Sequence, residues 1–282
     1  MGGLAGVGLA GDDIAPRQGH RRARQAPWEP CRWPVAHAPH RFRDSQPSRL
    51  LSRVVTDYAF QFNLGFALDP ERLALVVVDL QYASASRLEG LGRALKDQGQ
   101  EALGAYRFDR IERVVVPTVK RLLGFFRTQR LRVIYLTVGS ELPDYSDLLP
   151  HMRAFAEVVG NTRGRREHEV LDEVRPAHGE PVLNKTTMSA FHSSGFERLL
   201  RSWGVEQLLF TGVSTNSCVE GTARDAADRG YRCLIVEDGC GAASQRLHEA
   251  ACENFRRLLG RVESSATVMA ELTSALARSR TP

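Results

Sequence analysis

The sequence predicts an α/β protein built on a doubly wound, mainly parallel six-stranded sheet in the order 3-2-1-4-5-6, with helices on both faces. Continuous apolar runs such as LALVVVD (73–79) are typical of strands that are buried on both faces of a parallel sheet. These runs alternate with segments in which apolar residues recur at helical spacing. Gly204, Gly230 and Gly260 each follow a predicted helix, where a C′ residue often adopts a positive φ.

The predicted elements alternate between strand and helix along the chain. After strand one at 73–79, residues 82–106 are predicted to form an inserted lid or a surface excursion. A helix over 107–129 follows, and Pro117 is expected to shift its start or to kink it. The other predicted strands are 131–138, 181–185, 207–210, 231–237 and a brief 262–264, and the other predicted helices are 147–159, 194–203, 217–229 and 244–259.

The net charge of +5 belongs to one end of the chain. Residues 1–53 contain nine Arg, no Lys and four acidic residues, which leaves 29 residues of each sign in 54–282. The Pro-, Arg- and Ala-rich segment 1–53 lacks helical or strand periodicity, so it is predicted to be a disordered basic extension. Residues 54–282 are predicted to form one folded domain, with no nucleic-acid partner and, because no apolar run reaches about 18 residues, no membrane partner.

The five cysteines, Cys31, Cys218, Cys233, Cys240 and Cys252, form an odd set without CxxC spacing. This pattern argues against a disulfide framework or a zinc knuckle. A reducing, cytoplasmic environment fits it best.

Three unlike polar residues are predicted to meet at one edge of the sheet. Asp79 ends strand one, Lys185 ends the strand at 181–185, and Cys218 falls in the first turn of the helix after strand four. Free N–H groups and the positive end of the helix dipole favour a thiolate at Cys218 and can hold an oxyanion. Asp79 could carry the thiol proton, and Lys185 could pair with Asp79 and stabilise developing negative charge.

Each of these residues has an ordinary structural interpretation when it is taken alone. Cys218 could be an inert small hydrophobe, Asp79 an Asx-type cap on the following turn, and Lys185 a solvated loop charge. Together they supply the nucleophile, base and cation that acyl transfer requires. Cys240 is the rival nucleophile, although its place after strand five is a less clear helix start.

Three segments resemble the signatures of the isochorismatase-like cysteine hydrolase superfamily: LVVVDLQ (75–81), NKTTMSAF (184–191) and FTGVSTNSCVEGTARDAADRGY (210–231). The resemblance spans about residues 70–265 and implies an isochorismatase-like fold. It places the family's Asp, Lys and Cys triad on Asp79, Lys185 and Cys218.

The resemblance implies hydrolysis of a C–N bond in a small amide, carbamoyl or ureido substrate through a Cys218 thioester. It also implies a non-proline cis peptide between Val213 and Ser214, which would aim the Ser214 and Cys218 N–H groups at the substrate oxygen. A homodimer or homotetramer is the assembly that it favours.

The residues expected to contact the substrate are Phe191, Tyr82, Glu141 and Thr215. Phe191 lies where the family often walls the pocket, while Tyr82 and Glu141 lie in segments that should ring its mouth. The region TVGSELPDYSDLLPH lacks the Asp-x-His element of nicotinamidases, so neither a metal nor another cofactor is predicted.

Three alternatives stay open. The first is vinyl ether hydrolysis of the isochorismatase type, which does not require the Cys218 nucleophile. The second is a non-catalytic oligomeric relative that keeps the fold without turnover. The third, a nucleotide-binding protein, is disfavoured because QYASAS after strand one contains neither G-x-G-x-x-G nor G-K-[ST].

Overall fold

A computed structural model of the chain describes residues 58–63 and 65–279. The predicted disordered extension, 1–53, lies outside the described residues. Within the described ranges, no helix combines the length and the apolar character that crossing a bilayer would require.

The sheet has six strands, all parallel, and their order 3-2-1-4-5-6 confirms the predicted fold class. The strands are β1 (Leu73–Val78), β2 (Arg132–Val138), β3 (Val182–Lys185), β4 (Gln207–Val213), β5 (Arg232–Gly241) and β6 (Gly260–Glu263). The helices are α1 (Tyr82–Ala85), α2 (Gly90–Asp97), α3 (Glu101–Arg110), α4 (Val116–Thr128), α5 (Pro150–Val159), α6 (Ala190–Ser193), α7 (Phe196–Ser202), α8 (Glu220–Asp228), α9 (Gln245–Leu258) and α10 (Ser265–Ser279). Single 3₁₀ turns lie at Tyr58–Phe62, Arg166–His168 and Asp172–Val174.

Strand β1 lies at the centre of the sheet and is buried along its whole length. Because successive side chains of a strand point to opposite faces, Leu75 and Val77 enter one apolar core, while Val76 and Val78 enter the other. Helices α4 and α10 cover the first core, and α7, α8 and α9 cover the second. The unbroken apolar run in the sequence is therefore the consequence of two covered faces.

Residues 82–106, predicted to be an inserted lid or a surface excursion, are largely helical. They form α1, α2 and the first half of α3. The predicted helix at 107–129 is the end of a longer helical run, in which a π-helical turn at Ile111–Val115 joins α3 to α4. Pro117 is the second residue of α4, directly after this π-helical turn, where the regular α-helical hydrogen-bond pattern is already interrupted.

Helix α10 was absent from the predicted elements. Its large buried core residues are Val268 and Leu272, at a spacing of four residues, and Ser, Thr and Ala dilute the periodicity around them. Its start is fixed by Asp238 in β5, which accepts hydrogen bonds from the Ser265 backbone N (2.7 Å) and Oγ (2.6 Å). Strand β5 continues past its predicted end at residue 237 because, after an irregularity, Cys240 and Gly241 pair with Gly212 and Val213 of β4.

Two of the three predicted helix-ending glycines adopt a positive φ, and the third does not. Gly204 has φ 62° and Gly230 has φ 90°. Gly260 is instead the first residue of β6, where a Cβ would overlap the carbonyl oxygen of Cys233 on the neighbouring strand. Gly260 does follow the C-cap Leu259 of α9, as predicted, but the requirement there is close approach of two strands and not a positive φ.

Candidate active site

The predicted triad residues all lie at the carboxyl edge of the sheet, around the reversal of strand order. Asp79 immediately follows β1, Lys185 is the last residue of β3, and Cys218 lies in the turn Thr215–Val219 after β4. Strand β2 separates β3 from β1. The four-carbon stem of Lys185 reaches past it to Asp79.

Asp79 and Lys185 form a buried ion pair, with Nζ donating to Oδ2 at 2.9 Å. Asp79 is 2% exposed and Lys185 is fully buried. The backbone of Asp79 has φ 50°, a conformation that aspartate tolerates better than most residues. Its N–H donates to the Leu136 carbonyl oxygen (2.9 Å), and its own carbonyl oxygen accepts from Ser84 Oγ (2.9 Å). These two bonds fix the backbone that carries the carboxylate.

Burial and mutual attraction shift the pKa values of this pair. Burial raises the pKa of Asp79, although Lys185 and Cys218 act against the rise. Burial alone would lower the pKa of Lys185, but Asp79 and Cys218 outweigh it and hold the pKa above its usual value. Lys185 is therefore an ammonium, and Asp79 is a carboxylate with more affinity for a proton than an exposed one.

The Cys218 thiol is 7% exposed and faces this pair. Burial, together with the charge of Asp79, raises the pKa of Cys218 to about 12. Cys218 lies directly after a kink, because Ser217 has non-helical φ/ψ of −137° and −108°, while Val219 and Glu220 are helical and lead into α8. The cysteine is thus at the predicted helix start, which favours a thiolate, but burial and the charge of Asp79 act against that form.

One oxygen of the Asp79 carboxylate is free to accept a proton. Among the described residues, Asp79 Oδ1 is buried without a hydrogen-bond partner, since Lys185 occupies Oδ2. An unsatisfied buried carboxylate oxygen is costly, and it is common only where a group must receive a proton or a ligand. Asp79 Oδ1 is therefore the carboxylate oxygen of the pair that is left for a further contact.

Val213 and Ser214 join β4 to the cysteine turn through a cis peptide bond. Ser214 Oγ accepts a hydrogen bond of 2.7 Å from Arg107 Nη1. Both residues border a cavity of about 260 Å³ that Asp79 and Cys218 also line.

The wall of this cavity is mainly apolar. Its other lining residues are Ser84, Leu91, Arg107, Val138, His151, Met152, Phe155, Met188, Ser217 and Ala243. They come from the helical segment 82–106, from α3, from the end of β2, from α5, from the loops after β3 and β5, and from the turn after β4. The segment expected to be an excursion thus supplies part of the cavity wall.

Phe191 and Tyr82, both predicted to contact substrate, lie outside this lining. The ring of Phe191 packs against Phe196 with centroids 5.1 Å apart, and the Arg229 guanidinium lies 4.8 Å from its centroid. Tyr82 lies beneath the guanidinium of Arg166, at 3.7 Å from the ring centroid. These contacts make both side chains packing residues and not parts of the cavity wall.

Glu141 and Thr215 are also absent from the cavity wall. Glu141 pairs with Arg163 at 2.7 Å and accepts a hydrogen bond of 2.7 Å from Asn184 Nδ2. Thr215 is fully buried, and its Oγ1 lies 2.9 Å from His248 Nδ1. Thr215 thus supports the cysteine turn from behind.

Arg107 is the charged residue of the cavity that sequence reasoning missed. Arg107 follows Tyr106 in α3, a helix rich in charged residues. An arginine in such a helix normally has its side chain in solvent. The only signal was its place on the helical run that follows strand one. Its partners come from two distant segments, the carbonyl oxygen of Ser84 (3.0 Å) and Ser214 Oγ.

Cys240, the rival nucleophile, is fully buried within the sheet and is not a lining residue. Its Sγ lies 3.7 Å from the carbonyl oxygen of Phe210, and burial raises its pKa well above the usual value. Within the described part of the chain, no three His, Cys, Asp or Glu side chains form a group that could hold a metal ion.

The isochorismatase domain model matches residues 74–267, which contain the whole sheet except the first residue of β1. The described fold is thus that of the isochorismatase-like hydrolases. The chain belongs to the isochorismatase family.

Curated relatives and solved structures agree with this assignment. The chain is 31% identical over 214 residues to the ureidoacrylate amidohydrolase RutB of Caulobacter segnis, covering 71% of this chain and 85% of the relative. It is 32% identical over 209 residues to the RutB of Serratia proteamaculans, covering 69% and 80%. The N-carbamoylsarcosine amidase of Thermoplasma acidophilum is similar in structure, with 26% identity, a TM-score of 0.52 and coverage of 69% of this chain and 96% of that one.

Proposed function

We propose that the chain is an amidohydrolase that cleaves a C–N bond of a small amide, carbamoyl or ureido compound through a thioester on Cys218. Family membership and the amidohydrolases among its relatives support hydrolysis of a C–N bond as the reaction class. One observation carries the mechanism: Asp79 pairs with Lys185 and shares a cavity with Cys218 while keeping one oxygen free.

In the first half-reaction, Asp79 takes the thiol proton as Cys218 Sγ attacks the substrate carbonyl carbon. Burial raises the pKa of Asp79, which brings it closer to the Cys218 thiol pKa of about 12. The smaller difference between the two pKa values makes this proton transfer less unfavourable. The C–N bond then breaks, and Asp79 passes the proton to the leaving nitrogen. Ammonia or an amine departs, and the acyl group remains on sulfur.

In the second half-reaction, Asp79 is again a carboxylate and takes a proton from water. The hydroxide so formed attacks the thioester carbon, the C–S bond breaks, and the sulfur recovers the proton from Asp79. Lys185 keeps its charge throughout, since its pKa is held above the usual value. It limits how far the pKa of Asp79 rises, and it stabilises the negative charge near Sγ during attack.

The pH dependence of kcat/KM should report the state of Asp79. Because catalysis requires the carboxylate, activity is lost as the pH falls through the Asp79 pKa, which burial places above the usual value near 4. We expect the acid limb of the profile to have its midpoint above that value. A midpoint at or below 4, measured with an uncharged substrate, would contradict the role of Asp79.

A panel of substrates tests the proposed reaction class. Purified wild-type protein is incubated with carbamoyl, ureido and simple amide compounds, and ammonia release is measured; isochorismate, a vinyl ether, is included. We expect ammonia release from at least one ureido or carbamoyl compound. Cleavage of the vinyl ether alone would favour the isochorismatase alternative, and inactivity towards the whole panel would favour the non-catalytic one.

A further inference from the structure

The guanidinium of Arg107 is buried beside the proposed nucleophile without a carboxylate of its own. Arg107 is 8% exposed and lines the 260 Å³ cavity. Its Nε and Nη1 donate to two neutral acceptors, the Ser84 carbonyl oxygen and Ser214 Oγ. Among the described residues, no hydrogen bond from its Nη2 and no ion pair of Arg107 is found. A buried arginine normally has such a partner.

Two other partly buried arginines show the usual arrangement. Arg127 forms an ion pair with Glu180 at 2.8 Å, and Arg261 forms one with Glu271 at 2.7 Å. In contrast, the carboxylate whose charge raises the pKa of Arg107 is that of Asp79, and it already pairs with Lys185. Burial lowers the pKa of Arg107 to about 10, so the guanidinium is still charged at neutral pH.

The charges of the site do not cancel. With Cys218 as a neutral thiol, the cavity and its immediate support hold one carboxylate, Asp79, and two cations, Lys185 and Arg107. The remaining wall offers chiefly apolar side chains, such as Leu91, Phe155 and others already named. An excess positive charge in a mainly apolar cavity favours a ligand that brings a negative charge to it.

We infer that the substrates of this site carry a carboxylate and that Arg107 binds it, so that the chain selects small ureido or carbamoyl acids over their uncharged counterparts. This inference rests on the proposed function and specifies its substrate class. A planar guanidinium suits a carboxylate, because its N–H groups match the two oxygens. Arg107 would thus hold one end of the substrate while Cys218 attacks the carbonyl at the other.

A matched pair of substrates isolates the effect of the substrate's negative charge on kcat/KM. The acid is 3-ureidopropionate, and its uncharged counterpart is 3-methylbutylurea, in which an isopropyl group replaces the carboxylate. We expect wild-type kcat/KM to be about 100-fold higher for the acid, the size expected for a charged hydrogen-bonded pair. The Arg107→Met variant should lose most of this preference, with a far larger fall for the acid than for the uncharged urea.

Two further variants serve as controls. Arg113→Met removes one positive charge from an exposed residue of the same helical run, and it should keep the wild-type preference. Arg107→Lys keeps the charge but not the planar fork, and it should give an intermediate preference. Equal losses on both substrates in Arg107→Met would instead assign Arg107 to positioning Ser214 or to the oxyanion, and would overturn the inference, as would a wild type without preference.

Binding measurements test this inference separately from the proposed reaction. In a Cys218→Ala background, calorimetry with 3-ureidopropionate should show Kd rising about 100-fold when Arg107→Met is added, and little change with Arg113→Met. Arg107-dependent binding without turnover by wild type would contradict the thioester mechanism alone. Turnover of both ureas at equal efficiency would contradict the inference alone. If Arg107→Met does not fold, the wild-type preference and Arg107→Lys still decide the outcome.

Discussion

Replacement of Cys218 by alanine is expected to lower kcat/KM for amide hydrolysis by at least about 10⁴-fold. The variant keeps Asp79 and Lys185, but it has no atom that can form the covalent intermediate. The fold should survive, because the change removes one sulfur next to an existing cavity and costs roughly 1 kcal/mol in unfolding free energy. Ammonia release and urea denaturation, measured on the same preparation, check both statements.

Cys240→Ala is the matched control for this substitution. Cys240 is as buried as Cys218, but its sulfur faces the Phe210 carbonyl within the sheet and not the cavity. We expect this variant to keep kcat/KM within about threefold of wild type and to lose some stability. Loss of activity in Cys240→Ala together with retention in Cys218→Ala would reverse the assignment of the nucleophile.

Lys185→Met is expected to have the largest effect on stability. It leaves the Asp79 carboxylate buried without its cation, and breaking a buried pair from one side costs about 3–5 kcal/mol. Methionine fills most of the volume of the lysine stem, so a packing defect contributes little. The unfolding free energy from urea denaturation measures the loss.

The double variant Asp79→Asn/Lys185→Met distinguishes a charge effect from a packing effect. Because the second substitution removes the uncompensated carboxylate, we expect it to recover at least half of the stability lost in Lys185→Met. Activity should stay as low as in Asp79→Asn alone, since no proton acceptor remains. A double variant as unstable as the single one would show that Lys185 matters for its packing and not for its charge.

The sheet was predictable because its strands are chemically uniform. Strand β1 is buried on both faces, so every one of its residues is apolar, and Asp79 stands out at its end. The meeting of Asp79 and Lys185 followed from topology, since parallel strands present their carboxyl ends at one edge. Helix α10 escaped prediction because few of its residues face the core.

The cavity wall was less predictable, because it depends on side-chain directions that no periodicity encodes. Phe191 and Tyr82 lie near the site in sequence but pack away from it, whereas Arg107 points inward from a charged helix. The opposing effect of burial at Cys218 could not be predicted for a related reason. A helix start favours a thiolate, but burial beside a carboxylate opposes it, and only the structure shows how deeply the sulfur is buried.

Direct detection of the acyl-enzyme tests the central claim, that Cys218 becomes covalently bonded to the substrate carbonyl. Wild-type protein is mixed with a substrate identified in the panel, quenched with acid within one turnover, digested, and analysed by mass spectrometry. We expect the peptide containing Cys218 to gain the mass of the substrate less the departing ammonia or amine, and peptides containing Cys233, Cys240 and Cys252 to stay unmodified. Rapid ammonia release by an enzyme whose Cys218 stays unmodified, with activity retained in Cys218→Ala, would contradict this claim.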